Sequence, residues 1–224
     1  MIYPWLKSIY QQLTQPELRG HAFLLLGSTG LGQLELINAI LCYHLQTHQI
    51  MDHPDILRVS KLEGKRDIGV DQVRQLTAWV QQSAHGHLGR WVVIEDIELM
   101  NSAAANSLLK TLEEPPIGVR FLLTAQRAGK LLPTILSRCQ QWTIALPSQE
   151  SSVSWLKSQQ QVSDEECVFA LTLHHQAPLA ARDWLTGQGL PAWRDWQRLW
   201  KASIEQQYIT NEFIQWASED PERF

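Results

Sequence analysis

The chain has 224 residues, of which 44% are hydrophobic and 19% charged, with 12 glycines and 10 prolines. That mixture excludes collagen-like, coiled-coil and largely disordered chains and is enough for one large core or two modest ones. Nineteen Lys and Arg against 23 Asp and Glu leave a net charge of -4, so a whole-protein basic field able to hold nucleic acid or an anionic membrane unaided is excluded as well.

At the amino terminus, Met1 to Lys7 is not a basic leader followed by an apolar run, and no stretch approaches the roughly 18 apolar residues of a membrane span. Cys42, Cys139 and Cys167 form no C-x-x-C pair, which argues against a disulfide framework and a zinc module and for a reducing, cytoplasmic location. Residues 22–26 read as a buried strand that runs into Gly27-Ser28-Thr29-Gly30-Leu31-Gly32. Leu34, Ile37, Ile40, Leu41 and Leu45 then fall at helical spacing. Residues 55–59 form a candidate strand, 61–69 an exposed stretch and 70–82 a helix. A continuous apolar strand over 90–94 ends in Glu95-Asp96, and Asn101 or Ser102 caps a helix through Leu108, Leu109 and Leu112 that stops before Pro115-Pro116. A further strand covers 121–124. Strands alternating with helices predict an α/β fold with a mainly parallel sheet covered on both faces.

Composition changes after Pro147. Residues 148–154 read as a polar linker, and the segments 153–160, 164–174 and 178–185 as short amphipathic helices with no strand among them. This predicts a small all-helical lid over 148–189 and a short helical tail over 190–224. In the tail Trp193, Trp196 and Trp200, three of the ten tryptophans, recur on one helical face. Such a stripe is either core or a partner surface.

A phosphate-binding loop needs G-x-x-x-x-G-K-[ST], with backbone N–H groups around the phosphates, a lysine to neutralise them and a hydroxyl on magnesium. Gly27, Gly30 and Gly32 are present, but Gln33 and Leu34 stand where the lysine and hydroxyl belong. By itself the loop reads equally as an ordinary strand-to-helix turn. Glu95 and Asp96 suit a metal ligand beside a water-polarising carboxylate, although paired acids at a strand end are also common on solvated rims. His44, His48 and His53 are loosely spaced and read as solvated histidines, not as metal ligands.

Three stretches carry a resemblance: His53-Pro54-Asp55, Asn106 through Pro116, and Leu131 through Gln140 with its Ser137-Arg138-Cys139 triplet. They closely resemble the clamp-loader AAA+ family of bacterial DNA polymerase III, over roughly residues 1–190. The resemblance implies a P-loop NTPase-like (AAA+) domain over 1–147 with a degenerate nucleotide site at Gly27, Gly30, Gly32, Gln33, Leu34, Glu95 and Asp96, empty of cofactor and metal. The Walker B acids are exchanged in identity, the first sensor falls near Thr124 or Gln126, and the lid arginine of active relatives has no match. The 148–189 segment would be the lid and 190–224 a truncated collar or tail. Arg138, with Ser137 beside it, matches the arginine finger that such subunits insert into a neighbour's ATP site, although an isolated arginine is more often a surface ion pair.

The implied function is a catalytically silent clamp-loader subunit with no ATPase of its own. It would assist ATP-dependent loading of the sliding clamp onto primed DNA, with the motor (tau/gamma) and delta subunits as partners and no membrane. Two alternatives remain open: an adaptor that binds polymerase or clamp through the tryptophan-rich tail, and an ATP-hydrolysing P-loop protein of another family.

Overall fold

A computed structural model describes residues 2–15 and 17–205. The chain divides into two compact units, one ending at Leu146 and the other beginning at Pro147.

In the first unit a short 3-10 turn, Pro4–Leu6, leads into α1 (Lys7–Leu13); the turn buries Leu6 and the helix Leu13. The sheet follows in the strands β1 (Ala22–Leu26), β2 (Ile56–Val59), β3 (Arg90–Ile94), β4 (Val119–Ala125) and β5 (Gln140–Thr143). All neighbours pair in parallel, in the order β2-β3-β4-β1-β5. Between them run α2 (Gln33–His44), α3 (Val70–Val80), α4 (Ser102–Glu113) and α5 (Pro133–Leu136).

β1, β3 and most of β4 are buried on both faces, which is why they read as continuous apolar runs. Ala22, Leu24, Leu26, Val92, Ile94, Phe121 and Leu123 face one core together with Leu76 of α3 and Leu108 and Leu112 of α4. The alternate residues, among them Phe23, Leu25 and Trp91, point the other way, where the His44 ring of α2 lies 5.0 Å from the Trp91 ring.

His44 is therefore not a solvated histidine. Its Nε2 is hydrogen-bonded to the Leu13 carbonyl at 2.8 Å, tying α2 to α1, and burial holds its pKa below the ordinary histidine value.

Local chemistry sets the helix ends. The Asn101 side chain caps α4 by accepting from the Ala104 N–H at 2.9 Å, and Pro115-Pro116 follow its last turn. β4 starts two residues before the predicted strand. β5, absent from the sequence reading, is an edge strand of sequence Gln140-Gln141-Trp142-Thr143 with mostly exposed side chains, so it carries no apolar run.

The second unit contains α6 (Gln149–Gln159), α7 (Asp164–Leu173), α8 (Pro178–Thr186) and α9 (Gly189–Glu205). The stretch expected as a linker is the start of α6. The Ser148 side chain accepts from the Ser151 N–H at 3.2 Å, and Ser152 is fully buried. Serine-rich composition suggests a loop, but here the serines serve as cap and small packing residue.

Leu156, Cys167, Ala170, Leu171, Ala181, Leu185 and Leu190 form the core of this unit. Ser163 and Glu166 close a capping box at the start of α7. Arg194 of α9 donates to Glu166 Oε1 at 2.7 Å, and that hydrogen bond holds the Glu166 carboxyl below its usual range. Phe169 stacks on Trp193 at 3.7 Å between ring centres, Trp193 on Trp196 at 4.9 Å and Trp196 on Trp200 at 5.8 Å. The tryptophan stripe thus begins in the core and ends at an exposed Trp200.

Candidate functional site

The glycine loop lies at the carboxyl end of β1, the edge at which open parallel α/β sheets bind ligands. Gly30 and Gly32 adopt φ of 83° and 88°, a left-handed backbone that glycine takes without strain. Gly27 is closely packed: a Cβ there would stand 3.1 Å from the Ile144 Cβ, so that side chain would have to shift. Trp5 Nε1 donates to the Leu31 carbonyl at 2.9 Å, so the amino-terminal turn braces the loop from outside.

Gln33 braces it from within. Its side-chain amide donates to the carbonyls of Gly27 at 2.6 Å and Ser28 at 3.1 Å, spending its donors on the loop itself. Leu34 is partly exposed and offers no oxygen to a metal. This donor set does not fit a magnesium triphosphate, which needs a cation and a hydroxyl at these two positions.

The acids stand at the end of β3, separated from β1 by β4. Glu95 pairs with Arg58 of β2 at 3.6 Å. Asp96 sits in left-handed backbone at φ 49°, and its N–H donates to Thr124 Oγ1 at 2.9 Å. Gln126, just past β4, links the two halves: its N–H donates to Glu98 Oε1 at 2.8 Å and its amide to Thr29 Oγ1 at 3.3 Å. Gly27, Gly30, Gly32, Gln33, Leu34, Glu95 and Asp96 therefore share one edge of the sheet, with the Gln33 amide directed at the loop backbone and the Glu95 carboxylate at Arg58.

Arg138 and Ser137 do not join them. They precede β5, whose Gln140 pairs with Phe23 and whose Thr143 pairs with Leu26 beside the loop. The strand steps from Gln140 to Thr143 span roughly 10 Å, and Arg138 sits in the turn before them, at the amino ends of the strands, opposite the loop edge.

There Arg138 donates from Nη2 to Glu113 Oε2 at 2.8 Å, from Nε to the same oxygen at 3.3 Å, and from Nη1 to the Thr134 carbonyl at 2.9 Å and Ser137 Oγ at 3.4 Å. His21, Leu112, Glu113, Ser137 and Arg138 line one open cleft. The next residue, Cys139, is buried, and burial pushes its thiol up to about 11, which keeps it protonated and unreactive.

Glu113, Arg58 and Trp5 received no role from the sequence. Glu113 lies inside the Leu108 to Pro116 string, and only the fold brings it to Arg138. Among the described residues, no group of three or more His, Cys, Asp or Glu could hold a metal ion, and no helix is long and apolar enough to cross a membrane.

An all-parallel sheet in the order 2-3-4-1-5 with a glycine loop after its first strand defines a P-loop NTPase-like module of the AAA+ type. A gamma subunit-related DNA polymerase III protein of Thermotoga maritima has the same fold, with a TM-score of 0.60, 22% identity, and 84% of this chain and 62% of that one aligned. The family model described as DNA polymerase III, delta subunit, matches residues 4–148. The DNA polymerase III subunit delta' of Haemophilus influenzae is 39% identical over 202 residues, covering 82% of this chain, and that of Escherichia coli K12 is 34% identical over 198 residues, covering 80%. The chain belongs to the DNA polymerase III delta-prime family. It spans 62% and 59% of the lengths of these two relatives.

Proposed function

We propose that this chain is a catalytically silent subunit of a DNA polymerase III clamp loader. It assists ATP-dependent loading of the sliding clamp onto primed DNA and supplies Arg138 in trans to the ATP site of a neighbouring motor (tau/gamma) subunit. The observation that carries the reading is the placement of Arg138 at the sheet end opposite the chain's own glycine loop, where it cannot serve that loop and faces a surface cleft. A guanidinium suits the task because it stays charged and can bind developing phosphate charge through two donors. Gln33 and Leu34 support the silent half of the reading, since the loop closes on its own amide and lacks a magnesium ligand. In this reading residues 1–147 form the AAA+ domain, 148–189 the lid and 190–224 a collar or tail, of which 190–205 are helical and 206–224 lie outside the described residues. Ser137 steadies the guanidinium, and the delta subunit completes the set of direct partners.

The test is to assemble the full chain with motor and delta subunits and measure DNA-stimulated ATP hydrolysis for the wild type and Arg138→Ala. Complexes of equal composition are expected, with hydrolysis falling by up to about 10³-fold in the variant. An unchanged rate would overturn the finger role.

A further inference from the structure

Arg138 is held by two kinds of contact. The Thr134 carbonyl and Ser137 Oγ, at 2.9 and 3.4 Å from Nη1, are neutral and belong to the turn that carries the arginine. Glu113 is anionic, comes from the end of α4 and takes the Nε–Nη2 edge of the guanidinium on one oxygen, at 3.3 and 2.8 Å. A phosphate is bound most strongly by two donors along one guanidinium edge. The Nε–Nη2 edge already bears a carboxylate, which both fills the donors and repels a second anion. While the pair is closed, the group offers a triphosphate almost no net charge.

The pair is also built to open. The Arg138 and Glu113 side chains are 27% and 58% exposed, and an ion pair in contact with water is worth little. Thr134 and Ser137 would keep Nη1, and with it the guanidinium, aimed when Glu113 lets go.

We infer that Glu113 is a positioning residue that holds Arg138 back until docking against a triphosphate-bearing neighbour exchanges the carboxylate for phosphate; this rests on the finger role proposed above. Replacing the carboxylate by its neutral isostere therefore speeds the neighbour's hydrolysis, whereas removal of an orienting residue would slow it.

The experiment uses the full chain assembled with motor and delta subunits and follows single-turnover ATP hydrolysis on primed DNA for five proteins: wild type, Glu113→Gln, Glu113→Asp, Arg138→Ala and the Glu113→Gln/Arg138→Ala double variant. Glu113→Gln is expected to raise the rate about two- to five-fold at low salt, the range an exposed ion pair allows. The gain shrinks as salt screens the pair, vanishes in the double variant and is absent in Glu113→Asp, which keeps the charge. If Arg138→Ala abolishes hydrolysis but Glu113→Gln lowers the rate or leaves it unchanged, the holding role is overturned and the finger stands. A gain that survives in the double variant overturns it as well. If Arg138→Ala changes nothing, the finger reading itself fails and this inference fails with it.

Discussion

Two arginines stand beside the amino ends of the parallel strands, each against a carboxylate, and their surroundings differ in kind. Arg90 opens β3, and its side chain and that of Asp55 are 2% and 3% exposed. Asp55 accepts from the His85 and Gly86 N–H groups at 2.8 Å each, and Arg90 also donates to the carbonyls of Trp79 and Gln82 while its guanidinium lies 4.0 Å from the Trp79 ring centre. Neither partner can leave without stranding a buried charge, so the pair fastens β3 to the turn before β2. Arg138 also has two neutral partners, the Thr134 carbonyl and Ser137 Oγ, but its carboxylate is in contact with water. The same two chemical groups thus make a buried brace in one place and a solvated contact in the other, and what separates them is the access of solvent and the backbone donors that Asp55 holds.

The largest expected effect separates the two arginines by activity. Arg138→Ala should lower a docked neighbour's hydrolysis by up to about 10³-fold while leaving the chain's melting temperature nearly unchanged; a large drop in stability would make Arg138 a second brace. Next comes Asp55→Ala, which uncovers a buried guanidinium and should cost about 3 kcal/mol or more in urea unfolding at neutral pH.

Acid sharpens that contrast. Burial alone would raise the Asp55 pKa, but the two backbone N–H groups and Arg90 outweigh it and hold the carboxyl below its usual value. Its ionised form therefore stabilises the fold above about pH 4, and that share is lost as pH falls from there through the depressed folded value. The stability gap between wild type and Asp55→Ala should narrow over the same window, and a gap independent of pH would contradict the brace.

Glu113→Ala, by comparison, should change unfolding free energy by less than about 1 kcal/mol. The smallest effect is expected at the other sheet edge: Gln33→Lys should give no ATP turnover by the isolated chain, because Leu34 still provides no hydroxyl for magnesium. Vigorous hydrolysis by that single variant would show the loop to be one residue from active.

Much of the fold was legible because β1, β3 and β4 are buried on both faces and so advertise themselves as apolar runs, and because Asn101 and Pro115-Pro116 mark the ends of α4 by local chemistry. β5 was invisible for the opposite reason: its residues are polar and exposed, and it is a strand only because β1 offers an unpaired edge. α6 was half hidden by serines that cap and pack. At the candidate site, the missing lysine and hydroxyl are plain in Gln33 and Leu34, but the closure of the loop on the Gln33 amide is a matter of tertiary distance. The Glu113–Arg138 contact spans 25 residues of sequence, and no spacing rule connects a helix end to a turn that distant. The tryptophan stripe was read as either core or surface, and it is one passing into the other along α9.

That stripe also makes the second unit observable. Phe169, Trp193, Trp196 and Trp200 lie in series with planes 13°, 13° and 6° apart, close enough for the indole transition dipoles to couple. Coupled indoles give near-ultraviolet circular dichroism and mutual quenching of fluorescence that vanish when the stack opens. Trp91, fully buried in the sheet, has its own environment and its own signal. Each unit therefore carries an intrinsic chromophore, and its unfolding can be followed optically without adding a label.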